Sequence, residues 1–100
     1  MFKHIVMWKL KDDGDVNLIE RNAEIIKSSL SSLPSVIPEI SKYEIGVNQT
    51  ESERAFNVVL ISEFNSREDF HTYRDHPKHV EAVEIIRELA ELTNVVDYTT

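Results

Sequence analysis

The sequence predicts an α+β protein of the ferredoxin-like plan, a four-stranded antiparallel sheet carrying its helices on one face. Three observations point there. Segments of strand character and segments of helical spacing follow one another in the order β-α-β-β-α-α-β, the split βαβ arrangement with a broken second helix. No repeat, low-complexity run or linker divides the chain, so residues 1–100 read as one domain, a length that supports a modest core. Two of the strands are apolar on both faces, which a sheet wet on one side would not be.

The first strand is Phe2 to Leu10 (FKHIVMWKL), rich in β-branched and aromatic residues. Asp12-Asp13-Gly14-Asp15 forms a turn, and Asp15 is placed to cap a helix. Ile19, Ala23, Ile26, Leu30 and Leu33 recur at helical spacing, which predicts a helix from about Val16 to Leu33. Pro34 and Pro38 stop it and bracket a loop. Ile40 to Asn48 sets Tyr43, Ile45 and Val47 against Lys42 and Glu44, the alternation of a half-buried strand. Gln49 to Arg54 is polar and reads as a hairpin connection into a nearly continuous apolar strand, Phe56 to Phe64. Ser66-Arg67-Glu68-Asp69 resembles a capping box and opens a short helix carrying Phe70 and Tyr73. Pro77 opens the last helix, which is expected to run to about Leu92. Val95-Val96-Asp97-Tyr98 closes the sheet as a fourth strand.

The strand faces carry a second expectation. In the first strand Val6, Trp8 and Leu10 point one way and Ile5 and Met7 the other, yet all five are apolar. In the third, Val58 and Leu60 oppose Val59 and Ile61. The helix-free face is therefore expected to be buried by a second copy, giving a two-fold homodimer with its sheets face to face.

Composition narrows the function. A formal charge of −7, with the eleven basic residues scattered singly, argues against nucleic acid as a partner. Without cysteine there is no disulfide frame, no thiolate nucleophile and no cysteine zinc site. No apolar run approaches the roughly 20 residues that span a bilayer, and the N-terminus lacks the layout of a signal peptide. A soluble, cytoplasmic protein without membrane partners is the expectation. Only Gly14 and Gly46 are available, too few for a phosphate loop. Asp13, Asp15, Asn17 and Glu24 imitate a calcium loop, but Leu18 stands where the sharp turn demands glycine.

The densest chemistry lies between His71 and Val80 (HTYRDHPKHV), which holds three of the four histidines. His79 follows Pro77 in the first helical turn and continues the apolar stripe of Val83, Ile86 and Ala90, so its imidazole faces inward. A helix N-terminus and an apolar setting both disfavour imidazolium, leaving a neutral ring able to accept a proton. Tyr73 lies one short turn earlier, and its phenol could donate to a developing oxyanion. His4 is a third polar group on the first strand, placed to orient either residue or a ligand. The plain alternative is a histidine bonded to a backbone carbonyl beside a tyrosine that merely packs. His76 suits the helix start and His71 an exposed site. His76 and His79 form an H-x-x-H, but no acidic residue at helical spacing joins them, so no metal site is assigned. Trp8 reads as core or dimer interface, because large aromatics are enriched in both.

Lys3-His4-Ile5-Val6, Val59-Leu60-Ile61-Ser62-Glu63-Phe64, Tyr73 to Val80 with its His76-Pro77-x-His79-Val80 core, and Val96-Asp97-Tyr98 together resemble the stress-responsive dimeric α/β-barrel (Dabb) domain over essentially the whole chain. The resemblance implies a homodimer in which two ferredoxin-like sheets close into one barrel. Plant polyketide cyclases of this kind, such as olivetolic acid cyclase, perform a cofactor-free aldol ring closure with a histidine and a tyrosine from the segment that matches His79 and Tyr73. Their first-strand lysine-histidine pair matches Lys3-His4, whereas a further histidine on their third strand corresponds here to Asn57. The implied function is binding of a small, partly apolar or phenolic ligand without a cofactor, with an aldol cyclisation as its sharper form. A non-catalytic stress-associated dimer and a cofactor-free monooxygenase of related barrel type are the alternatives.

Overall fold

In the computed structural model, which describes all of residues 1–100, the strand alternation read from the sequence sets the layers. Strand β1 (Phe2–Leu10) is followed by helices α1 (Val16–Ser31) and α2 (Leu33–Val36), strands β2 (Ile40–Val47) and β3 (Val58–Phe64), helices α3 (Arg67–Asp75) and α4 (Pro77–Leu89), and strand β4 (Ala90–Thr99). The sheet is antiparallel in the order β2-β3-β1-β4, so β1 and β3 are central and β2 and β4 are edges. This is the ferredoxin-like α+β fold.

All helices lie on one face. Phe2, Val6, Trp8 and Leu10 of β1 and Val58, Leu60 and Phe64 of β3 are buried against Ala23, Ile26 and Leu30 of α1 and Ala82 and Ile86 of α4. Each large apolar side chain so buried contributes roughly 1.5–3 kcal/mol. Trp8 is thus a core residue of the helix-covered face. Ser62 is the one buried polar side chain of this face, and its hydroxyl donates to the His4 carbonyl at 2.9 Å. Local signals hold the helices in place. Asp15 caps α1 by accepting the Asn17 N–H, and Ser66 caps α3 by accepting from Asp69 N–H.

The opposite face carries Ile5 and Met7 of β1, Val59 and Ile61 of β3, and Leu92, Val96 and Tyr98 of β4, because residues paired across the ladder share a face. It is uncovered: Leu92 is 50% and Val96 60% exposed.

Several boundaries differ from the sequence reading. The first helix ends at Ser31, and α2 follows with Pro34 in its first turn, so this proline opens a helix where only a loop is expected from the sequence. The last helix ends at Leu89 rather than near Leu92, and β4 begins at Ala90 rather than Val95. Ladder pairing decides this. Ala90 lies opposite Leu10, Leu92 opposite Lys9 and Thr93 opposite Trp8, while the Lys11 N–H donates to the Leu89 carbonyl. These tertiary bonds override the helical preference of Ala90, Glu91 and Leu92. The third strand starts at Val58 because Asn57 is engaged at its end: its side-chain oxygen accepts the Leu10 N–H at 2.7 Å. No helix is long and apolar enough to cross a membrane.

Candidate functional site

Between α4 and the helix-facing side of β1 and β4 the packing opens into a cavity of about 440 Å³. Its walls include Val6, Trp8, Leu60 and Ile86, and the polar residues that line it are His4, Tyr73, His79, Arg87, Glu91 and Thr93. His4, Tyr73 and His79 therefore meet at one opening, each delivered by a different element.

His79 is carried by the first turn of α4. Its Nδ1 lies 2.9 Å from the Arg74 carbonyl near the end of α3, and since a carbonyl can only accept, Nδ1 holds the proton and donates. Nε2 keeps its lone pair and has no partner within the protein. Burial pushes the imidazole pKa below its ordinary value, with the Arg74 carbonyl opposing. The ring packs on Tyr73 with centroids 4.4 Å apart. His79 is thus a neutral base held in one tautomer. The helix start itself is built by its neighbour: His76 Nδ1 accepts the Lys78 N–H as the α4 cap, with Pro77 next. That role engages the Nδ1 lone pair of His76 at the helix start.

Tyr73 closes the floor of the cavity, with 0% of its surface exposed. Phe64 and Phe70 flank it, and its hydroxyl is 2.8 Å from the Tyr43 hydroxyl on β2. Burial raises the Tyr73 pKa to about 12, the bond to Tyr43 acting in the other direction. Burial, and then the neighbouring Tyr73, push Tyr43 up further. Both phenols stay protonated at any physiological pH, and one of the two protons in the pair is free to be donated elsewhere.

His4 stands on the helix-facing side of β1, its ring 4.7 Å from that of Phe70 and 6.4 Å from that of Tyr73. Its Nδ1 lies 2.5 Å from Asp97 Oδ1, directly across the ladder on β4. Lys3, adjacent in sequence, points through the opposite face, where its ammonium sits over the Tyr98 ring at 6.0 Å. The Lys3-His4 pair is therefore split between two surfaces. Asn57 does not line this cavity.

Two members of the site escape the sequence reading. Alternation marks Tyr43 only as the apolar side of a strand, and Asp97 only as part of a closing strand. Both signals exist in the pattern of β2 and β4, but they acquire meaning only through the register, which pairs Tyr43 with Ser62 and Asp97 with His4.

The family model described as Stress responsive A/B Barrel Domain matches residues 2–100. A curated relative, a stress-response A/B barrel domain-containing protein of Arabidopsis thaliana, is 35% identical over 83 residues. That match covers 83% of this chain and 30% of the relative, so the chain spans about a third of that protein's length. Among solved structures, a dimeric protein of unknown function and ferredoxin-like fold from Bacteroides fragilis is 37% identical with a TM-score of 0.89, the match covering 99% of this chain and 95% of that one. The hydroxynitrile lyase of Passiflora edulis is 21% identical with a TM-score of 0.77, covering 97% and 90%, and shares the fold.

Proposed function

The chain belongs to the stress-responsive A/B barrel domain family, and from that premise we propose that it is a homodimer holding a small, partly apolar molecule in the cavity between sheet and α4. The dimer forms through the uncovered sheet face, whose row of Ile61, Ile5 and Val96 across β3, β1 and β4 supplies a continuous apolar strip. The Bacteroides fragilis relative, at 37% identity, is dimeric, which supports this.

The cavity's size falls in the range of roughly 300–1,000 Å³ common for small-molecule sites, and its apolar walls with a few convergent polar groups suit a phenolic or polyketide-like compound. The chemistry that best fits is a cofactor-free aldol-type closure. His79 Nε2 takes a proton from the carbon beside a carbonyl. The carbon–hydrogen electron pair becomes an enolate, whose oxygen receives a hydrogen bond from Tyr73. The enolate carbon attacks a second carbonyl of the same molecule, and the proton on His79 passes to the new alkoxide. One observation carries the reading: a neutral imidazole with a free Nε2 shares an apolar cavity with a phenol of raised pKa. A non-catalytic binding dimer is favoured by a different fact, that the Tyr73 hydroxyl is already satisfied by Tyr43.

An NMR titration of the histidine rings against phenolic and polyketide-like compounds tests the proposal. A shift of the His79 signals with one compound class, turnover of that class, and loss of turnover in a folded His79→Ala dimer are expected. Silence of His79 to every compound overturns the binding reading. Binding without turnover leaves the non-catalytic form in place and removes the cyclase.

A further inference from the structure

We propose that Asp97 is a positioning residue of this cavity: its carboxylate fixes the tautomer of His4 so that His4 Nε2 is presented to the ligand as a second proton-accepting nitrogen besides that of His79. The proposal deepens the reading given above, but its structural core stands without it.

The argument starts from the ladder. His4 and Asp97 are directly opposed residues of β1 and β4, and their side chains emerge on the helix-covered face. The Asp97 carboxylate can only accept, so the Nδ1 that lies 2.5 Å away must donate, and the lone pair of the neutral ring resides on Nε2. The ring is flanked by an aromatic neighbour, and the residue's backbone is tied to the next strand. Phe70 packs against it at 4.7 Å, the His4 carbonyl accepts the Ser62 hydroxyl at 2.9 Å, and the His4 side chain is only 12% exposed. Little of the imidazole reaches solvent, and it lines the cavity. The ladder that makes the pairing continues to the chain termini, where the Thr100 N–H donates to the Met1 carbonyl.

His79 is built in the same way from unrelated parts. Its Nδ1–H donates to the Arg74 carbonyl and its Nε2 is left open. Two imidazoles therefore meet the cavity from different walls, each with Nδ1 committed to the protein. They differ in what holds Nδ1. A neutral carbonyl backs His79, while a carboxylate backs His4, the arrangement that steadies a ring through the gain and loss of a proton. His4 Nε2 is then suited to accept a hydrogen bond from a hydroxyl of the ligand while His79 acts at carbon.

The test needs no ligand. Long-range proton–nitrogen correlation spectra of the ¹⁵N-labelled dimer, recorded where the histidines are neutral, report the tautomer of each ring. The expected result is Nδ1–H for both His4 and His79 in the unaltered protein. Asp97→Leu removes the acceptor of the Nδ1–H, and His4 is expected to move toward the Nε2–H tautomer with His79 unchanged. Asp97→Glu keeps a carboxylate and is expected to retain Nδ1–H. An Nε2–H tautomer of His4 in the unaltered protein, or no response of His4 to Asp97→Leu, overturns the proposal. Should Asp97→Leu fail to fold, the unaltered protein alone decides. A failed ligand titration at His79 would remove the proposed function and leave this result untouched.

Discussion

Removing both hydroxyls of the Tyr43–Tyr73 pair should cost less than the sum of removing each alone. The two oxygens are 2.8 Å apart, and Tyr73 is fully buried whereas Tyr43 is half-buried. Tyr43→Phe leaves the buried Tyr73 hydroxyl with no partner within the protein. The loss is about 1 kcal/mol for the bond plus roughly 1–3 kcal/mol for the stranded group. Tyr73→Phe strands a hydroxyl that solvent can reach, so about 1 kcal/mol is expected. The double substitution brings two apolar rings together and leaves nothing stranded, so its cost should fall about 1–2 kcal/mol below the sum of the single ones. The assay is denaturant unfolding at one fixed protein concentration, because a dimer's apparent stability depends on it. For a domain of this length each kcal/mol corresponds to roughly 4–8 °C in melting temperature, so the asymmetry is measurable. Additive costs would refute the pairing, and a larger loss for Tyr73→Phe than for Tyr43→Phe would refute the burial argument.

Three further outcomes follow from the same geometry. Burial lowers the folded pKa of His79 below its ordinary 6.5, so the folded state binds fewer protons there than the unfolded chain. The stability associated with it is full above about pH 6.5 and is lost as pH falls through the lower folded value. His79→Gln should flatten that part of the profile in a pH series of urea midpoints, and an unchanged slope would show that the ring is not the group responsible. Ile61→Asp or Val96→Asp places a charge in the proposed face-to-face interface, and light scattering should then report monomers that retain native circular dichroism. Ser66→Ala removes the acceptor of the Asp69 N–H and should cost about 1 kcal/mol in chemical unfolding.

Much of the fold is legible in the sequence because its signals are local. The alternation in β1 and β3, the capping residues Asp15 and Ser66, and Pro77 before the α4 stripe each need only a few neighbouring residues. Boundaries set by distant partners do not show. Ala90 to Asn94 has the composition of a helix end, and only pairing with Leu10, Lys9, Trp8 and Met7 makes it strand. The site divides along the same line. His79 and Tyr73 stand out because Pro77 and the apolar stripe fix their direction. Tyr43 and Asp97 do not, since each acts through a residue on a different element.

The period of two in β1 has a consequence for how this protein can change. His4, Val6 and Trp8 face the cavity and the helices, while Lys3, Ile5 and Met7 face the uncovered side where a second copy is proposed to dock. One short strand thus serves ligand and partner through alternate residues, and a substitution on one side leaves the other chemically untouched. A shift of β4 by one residue against β1 would undo both at once. Asp97 would leave His4 for the far face, and Val96 would leave the apolar row it shares with Ile5 and Ile61. The register of an edge strand exposed along most of its length is therefore the point on which the cavity and the proposed dimer jointly depend. A β4 substitution that permits slippage should weaken self-association and scramble the His4 tautomer together, whereas Ile61→Asp should affect self-association alone.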